Sequence, residues 1–195
     1  RQDISWEEDL NRPAIDYRNG VFHMWHSSQT TGGFNKRKWV DSYMEASKED
    51  KGGPVIGYAW SRDGIFWERL EEPVVVPDCT WEKRSLMCPT ILWDQKKEIY
   101  KLWYCGGGWF EPDAIGYAES KDGIVWEKCG KNPVFTPDKK NLWERAHVAG
   151  CQVIQMDGWY YMFYIGYEDL FKARICLARS KDGVSGWERH PMNPI

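Results

Sequence analysis

The sequence predicts an all-β fold, a β-propeller of four-stranded antiparallel blades, on three observations. A turn recurs three times: Ser61-Arg62-Asp63-Gly64-Ile65-Phe66-Trp67, Ser120-Lys121-Asp122-Gly123-Ile124-Val125-Trp126 and Ser180-Lys181-Asp182-Gly183-Val184-Ser185-Gly186-Trp187. Its serines lie 59 and 60 positions apart, which is the period of a supersecondary unit rather than of one helix or strand. Each turn carries the same extended segments before it, and no stretch shows a sustained 3.6-residue apolar period flanked by caps, so helix is expected to be minor.

Taken in chain order, each copy holds four extended segments. The first follows a Trp-Glu pair and meets Pro or Cys seven or eight positions after the Trp: Trp6 to Pro13, Trp81 to Pro89, Trp143 to Cys151. The second is Val21 to Trp25, Ile99 to Trp103 and Trp159 to Phe163. Asn19-Gly20 and Asp157-Gly158 sit between first and second segments, where a two-residue hairpin needs positive φ. The third is Ile56 to Trp60, Ile115 to Glu119 and Ile175 to Arg179. The Ser-x-Asp-Gly turn then leads to the fourth, its serine and aspartate side chains placed to bond the turn's own amides. Four-stranded sheets repeated about an axis make a propeller, whereas the coils of a β-solenoid, the main competitor beside separate sandwiches, are shorter than this period. The expected organisation is one domain over 1–195, with blades at about 6–77, 78–137 and 138–195.

Composition agrees: 42% of residues are hydrophobic and 15% aromatic, with 13 Trp, enough for a packed core. Trp67, Trp126 and Trp187 recur at one position of the unit and read as packing between neighbouring sheets, because a ligand does not need the same ring in every blade. Glu7, Glu82 and Glu144 follow the repeated Trp and read as structural for the same reason. A net charge of −3 with scattered basic residues is no nucleic-acid footprint, and no apolar run approaches the roughly 20 residues that span a bilayer. The chain thus reads as soluble, cytoplasmic or secreted. Six cysteines without Cys-x-x-Cys spacing argue against metal, and no cofactor is expected. Free thiols are the default reading, with one or two bridges the alternative for a secreted protein.

Propellers close with roughly four to eight blades, and this sequence holds about three. A fragment of a longer protein is the favoured reading; self-association to complete a ring and an open arc are the others.

The Arg-Pro strand start at Arg12-Pro13, the Leu-Trp-Tyr second strand at Leu102 to Tyr104, the Ile-Gly-Tyr-Ala third strands at Ile56 and Ile115, the Ser-x-Asp-Gly-x-x-Trp turns and the following Asn132-Pro133-Val134 together resemble the five-bladed propellers of glycoside hydrolase families 43 and 32. The resemblance covers essentially the whole chain and rests on structural motifs. It implies about three blades of a probable five, a carbohydrate substrate, and a central funnel where carboxylates act as acid and as base or nucleophile on a furanoside or related terminal sugar. In many such enzymes an aspartate precedes the proline of an inner strand. The equivalent positions here are Arg12, Cys88 and Gly150, none acidic.

Other loop acids are then the catalytic candidates: Asp9, Asp113 and Glu168, each weighed against a solvated loop charge. Residues unique to one copy, His26, Arg84, Trp109 and His147, are candidates for substrate contact, and Arg12 at the first inner-strand start and the loop acids Glu111 and Asp169 join them. Trp109 suits stacking on a sugar ring, and Arg12 or Arg84 suits bidentate capture of a carboxylate or phosphate. His26 reads equally as a strand-end residue bonded to backbone, and Arg84 as a blade-linking ion pair. The first-copy insertion, Ser28 to Gly53, with Gly32-Gly33 and Lys36-Arg37-Lys38, is expected to lie over the funnel as a lid, or else to be an excursion or an assembly contact. Two further readings stand beside hydrolysis: a propeller that binds glycans without cleaving them, and an interaction scaffold.

Overall fold

The computed structural model describes residues 6–7, 9–29, 54–83, 85–108, 112–169 and 171–195. They form three four-stranded antiparallel sheets and two short 3-10 turns, Thr80–Glu82 and Leu142–Glu144. The first sheet runs β1 (Asp9–Arg18), β2 (Val21–Gln29), β3 (Val55–Ser61), β4 (Glu68–Arg69). The second runs β5 (Ser85–Asp94), β6 (Ile99–Gly107), β7 (Pro112–Ser120), β8 (Glu127–Lys128). The third runs β9 (His147–Met156), β10 (Trp159–Asp169), β11 (Lys172–Ser180), β12 (Glu188–Arg189). Each sheet is a meander in sequence order, and β1 packs on β5 and β5 on β9. The first strand of each sheet is thus the inner one, and the chain is a partial β-propeller.

The turns form by local chemistry. Asn19 and Gly20 hold φ of 52° and 78°, and Asp157 and Gly158 hold 51° and 74°, as a two-residue hairpin with matched twist requires. In the second Ser-x-Asp-Gly turn, Ser120 Oγ accepts the Gly123 N–H at 2.8 Å, and Asp122 Oδ1 accepts those of Ile124 and Val125 at 2.8 Å each. The other two copies repeat this set.

Neighbouring blades are joined by a contact across long sequence separation. Trp25 on β2 donates its indole N–H to Gly123 O at 2.7 Å, and Trp103 on β6 donates to Gly183 O at 2.8 Å. The tip of one blade's third-to-fourth turn is therefore latched by the second-strand tryptophan of the blade before it. A Cβ on Gly123 would lie 2.6 Å from Trp25 Cζ2, so glycine is needed there for close approach as well as for positive φ. The repeated Trp67 and Trp126 brace their own turns, donating to Gly64 O and Gly123 O at 3.0 Å. Trp126 also meets Trp25 edge-on at 6.3 Å. Trp187 likewise meets Phe135 of the second blade edge-on at 6.1 Å, so Trp126 and Trp187 share the packing between sheets with the second-strand rings, whereas Trp67 meets Phe22 of its own sheet.

Each Trp-Glu pair supplies a buried carboxylate to the end of its sheet. Glu82 accepts from the Tyr104 hydroxyl at 2.7 Å and from Lys128 Nζ at 2.8 Å; Glu144 accepts from Tyr164 at 2.7 Å and from Arg189 Nε at 2.5 Å. Glu7 pairs with Arg69. All three carboxylates are buried, and removing either partner of such a pair leaves an uncompensated charge.

Candidate functional site

The inner strands begin at one end of the sheets, where Asp9 of β1 pairs with Gln29, Ser85 of β5 with Gly107, and His147 of β9 with Tyr167. That end is the mouth of the partial ring. A bulge interrupts β1 after Asn11 and β5 after Met87, and β10 shifts register opposite Gly150. The residues at these irregularities, Arg12, Cys88 and Gly150, share positive φ of 52°, 57° and 54°. They are the three positions singled out in the sequence, and a bulge is a means of re-aiming a side chain. Arg12 reaches from β1 to β5, donating to Cys88 Sγ at 2.5 Å. A hydrogen bond with Cys105 and burial push the Cys88 thiol well above its ordinary range, so it stays protonated and is no nucleophile. All six cysteines are free thiols.

Beside this row, the second and third blades bring together Asp113, His147 and Lys83. His147 Nδ1 donates to Asp113 Oδ1 at 3.1 Å, and Lys83 Nζ pairs with Oδ2. The hydrogen bond from His147 holds Asp113 below the usual carboxylate range, with Lys83 adding to it and burial opposing. Gly107 makes the arrangement possible: at φ 134°, a Cβ there would lie 2.6 Å from Asp113 N and 2.7 Å from its Cγ. His147 also meets Tyr167 edge-on at 6.4 Å. An ionised carboxylate that orients an imidazole is a unit that accepts and delivers protons.

Glu168 and Asp169 sit at the adjoining β10–β11 tip. Glu168 pairs with Lys172 at 3.3 Å and lies 3.9 Å from Arg145, which also donates to its backbone carbonyl at 3.1 Å. Asp169 Oδ1 accepts the N–H groups of Phe171 and Lys172 at 2.9 Å each and is held below the ordinary carboxylate range by those bonds, Phe171's first. Its side chain is thus committed to shaping the turn. Asp9 is exposed at the start of β1. His26 lies away from the inner strands: it occupies the place of Tyr104 and Tyr164, buried 3.4 Å from Glu7 and stacked on Trp6. Arg84, Trp109 and Glu111 lie outside the described residues, as does most of the expected lid, residues 30–53.

Two residues at the mouth escaped the sequence reading. Lys83 sits 30 positions from Asp113, and only the bridge that aligns it with Gly107 brings the two together. Phe171, at the β10–β11 tip, is 94% exposed; the signal was a lone aromatic beside an aspartate-capped turn.

No protein-family model matches the chain. In sequence it is 27% identical over 160 residues to an uncharacterized protein of Mycobacterium tuberculosis, covering 80% of this chain and 46% of that protein. It is 32% identical over 133 residues to the 1,2-beta-oligomannan phosphorylase of Thermoanaerobacter sp., covering 61% of this chain and 42% of that protein. In structure it matches Zg3597, a family 117 glycoside hydrolase of Zobellia galactanivorans, with a TM-score of 0.79 at 20% identity, over 100% of this chain and 58% of that one. It also matches a member of the GH130 family of mannoside phosphorylases and β-1,2-mannoside hydrolases, with a TM-score of 0.62 at 21% identity, over 95% of this chain and 50% of that one. The fold is therefore that of the glycoside hydrolase-like propellers, without singling out families 43 or 32. The chain spans less than half the length of the curated relatives it matches. Among the described residues no helix is long and apolar enough to cross a membrane.

Proposed function

We propose that this chain is part of a glycan-processing propeller that cleaves a glycosidic bond at the mouth of its inner strands. The observation that carries the reading is the Asp113–His147 pair, held at the blade junction where β9 begins. In this reading Asp113 fixes the imidazole through Nδ1 and leaves Nε2 to exchange a proton with the glycosidic oxygen, while Lys83 steadies the carboxylate. Glu168 at the adjoining tip is the candidate second carboxylate, and Arg12 contacts a substrate hydroxyl or acid group from the bulge of β1. The substrate is a furanoside or related terminal sugar, and water is the acceptor.

A second reading, phosphorolysis, is favoured by the 32% identity to an oligomannan phosphorylase and places inorganic phosphate as the acceptor. One experiment separates them. The intact protein is incubated with a panel of furanosides and with β-1,2-mannobiose, with and without phosphate, and the released sugar is identified. A free sugar in both conditions supports hydrolysis, and a sugar 1-phosphate made only with phosphate supports phosphorolysis. Sugar-dependent thermal stabilisation without any product would leave a binding propeller and overturn the catalytic reading.

A further inference from the structure

The tip that joins β10 to β11 presents a ring that contributes little to packing. Phe171 is 94% exposed, more than any other large hydrophobic residue among those described. The turn around it is built without the ring: Asp169 Oδ1 accepts the N–H groups of Phe171 and Lys172 at 2.9 Å each, and Asp169 faces Lys172 across the two strands. Glu168 braces the tip again, its carboxylate paired with Lys172 and its backbone carbonyl accepting from Arg145. The backbone is thus fixed while the aromatic faces are left to solvent. Phe has no polar tip to gain from water, as Tyr and Trp have, so an apolar contact on this ring would be favourable. The tip also lies on the mouth side of its sheet. His147 pairs with Tyr167, and Asp169 follows two positions further along β10, about 7 Å at the usual rise of a strand. Phe171 therefore stands outside the Asp113–His147 pair, toward solvent. Arg145 and Lys172 keep 50% and 56% of their side chains exposed at the same tip, and both carry more N–H donors than their contacts with Glu168 take up.

We propose that Phe171 is a platform on which a sugar ring of the glycan stacks, in a subsite outside the bond that is cleaved, with Arg145 and Lys172 donating to the hydroxyls of that ring. An aromatic plate with a few polar groups at its edge is what a sugar ring needs: its C–H face lies on the plane and its hydroxyls take the donors. The proposal rests on the reading of this chain as part of a glycan-processing propeller and adds to it a preference for chain length. A glycan that extends past the Asp113–His147 pair reaches the platform, and a disaccharide spanning the cleaved bond does not. The same residues set the charge of the occupant. Within the tip the two cations are matched by Glu168 and Asp169, which leaves no net charge to capture a carboxylate or phosphate, so the fitting ring is neutral.

The test is calorimetric titration of the intact protein and of its Phe171→Ala and Phe171→Tyr variants with di- and tetrasaccharides of arabinofuranose and of β-1,2-linked mannose. Expected is that wild type binds the tetrasaccharide of one series about 3–10-fold more tightly than the disaccharide, the size of a single aromatic contact. Phe171→Ala removes this gain and Phe171→Tyr restores it. All three proteins should share one Tm, because the exposed ring contributes little to packing; a Tm that falls in Phe171→Ala shows a structural role and overturns the proposal. Equal gains in wild type and Phe171→Ala also overturn it and leave the proposed function standing. A gain lost in Phe171→Ala without turnover of any sugar supports the platform and refutes cleavage. Failure of wild type to bind either series overturns the platform and the glycan reading together.

Discussion

His26 offers a quantitative test of how the blades are built, because it replaces the tyrosine that the other two copies place against their buried glutamate. Burial lowers its pKa from 6.5 to about 4, with the Arg69 charge lowering it further and a backbone bond at Ser27 opposing. Glu7, 3.4 Å away, favours the imidazolium, but its charge is already met by Arg69, so burial wins and the ring is neutral. Below pH 6.5 the unfolded chain takes up a proton that the folded one refuses down to about pH 4, so stability present above 6.5 is lost as pH falls through this window. At pH 5 those two pKa values correspond to a loss of about 2 kcal/mol relative to pH 7.5, or roughly 4–8 °C in Tm for a chain of this size. His26→Tyr is expected to remove this component. Space permits it, since Gly57 faces His26 as Gly116 faces Tyr104, and the new hydroxyl has Glu7 as its acceptor. Urea unfolding followed by tryptophan fluorescence at pH 7.5 and 5.0 gives the difference between wild type and variant, from which other titrating groups cancel. Parallel losses in the two proteins refute the assignment of a buried neutral imidazole.

Three further outcomes follow from the same geometry. Trp103→Phe is expected to cost about 1 kcal/mol more than Trp25→Phe, because it removes from Gly183 O the one indole donor found among the described residues, whereas Gly123 O keeps Trp126; equal urea midpoints for the two variants would contradict this. Gly123→Ala and Gly20→Ala place a Cβ at nearly the same φ, 76° and 78°, but only the first meets a neighbour within 4 Å. Thermal denaturation should show about 1–3 kcal/mol more damage at Gly123, from overpacking against Trp25. Asp113→Asn is expected to lower turnover on the substrate found in the panel by about 10²–10⁴-fold, with the fold intact by circular dichroism; wild-type turnover in this variant rules Asp113 out of the chemistry.

Short-range chemistry was legible in the residues alone: the Ser-x-Asp-Gly turns close on hydrogen bonds between residues two or three apart, the Asn-Gly and Asp-Gly hairpins need only local φ, and the period carries these to the same place in every blade. The Trp-Glu pairs were legible as structural because they recur. Contacts that depend on register between distant strands emerged with the folded sheets. Gly123 serves as a latch because Trp25, 98 positions earlier, lies across a blade junction that no local pattern marks. His26 was legible as an exception to the repeat but not as the partner of a buried carboxylate, since its role comes from burial beside Glu7. Asp113 and His147 were each visible as candidates, yet their pairing, and Lys83 with them, depends on how β6, β7 and β9 align at the mouth. Hydrogen bonds and close packing reach only a few ångströms, so residues far apart in the chain acquire a joint chemistry only after the sheets fix their positions.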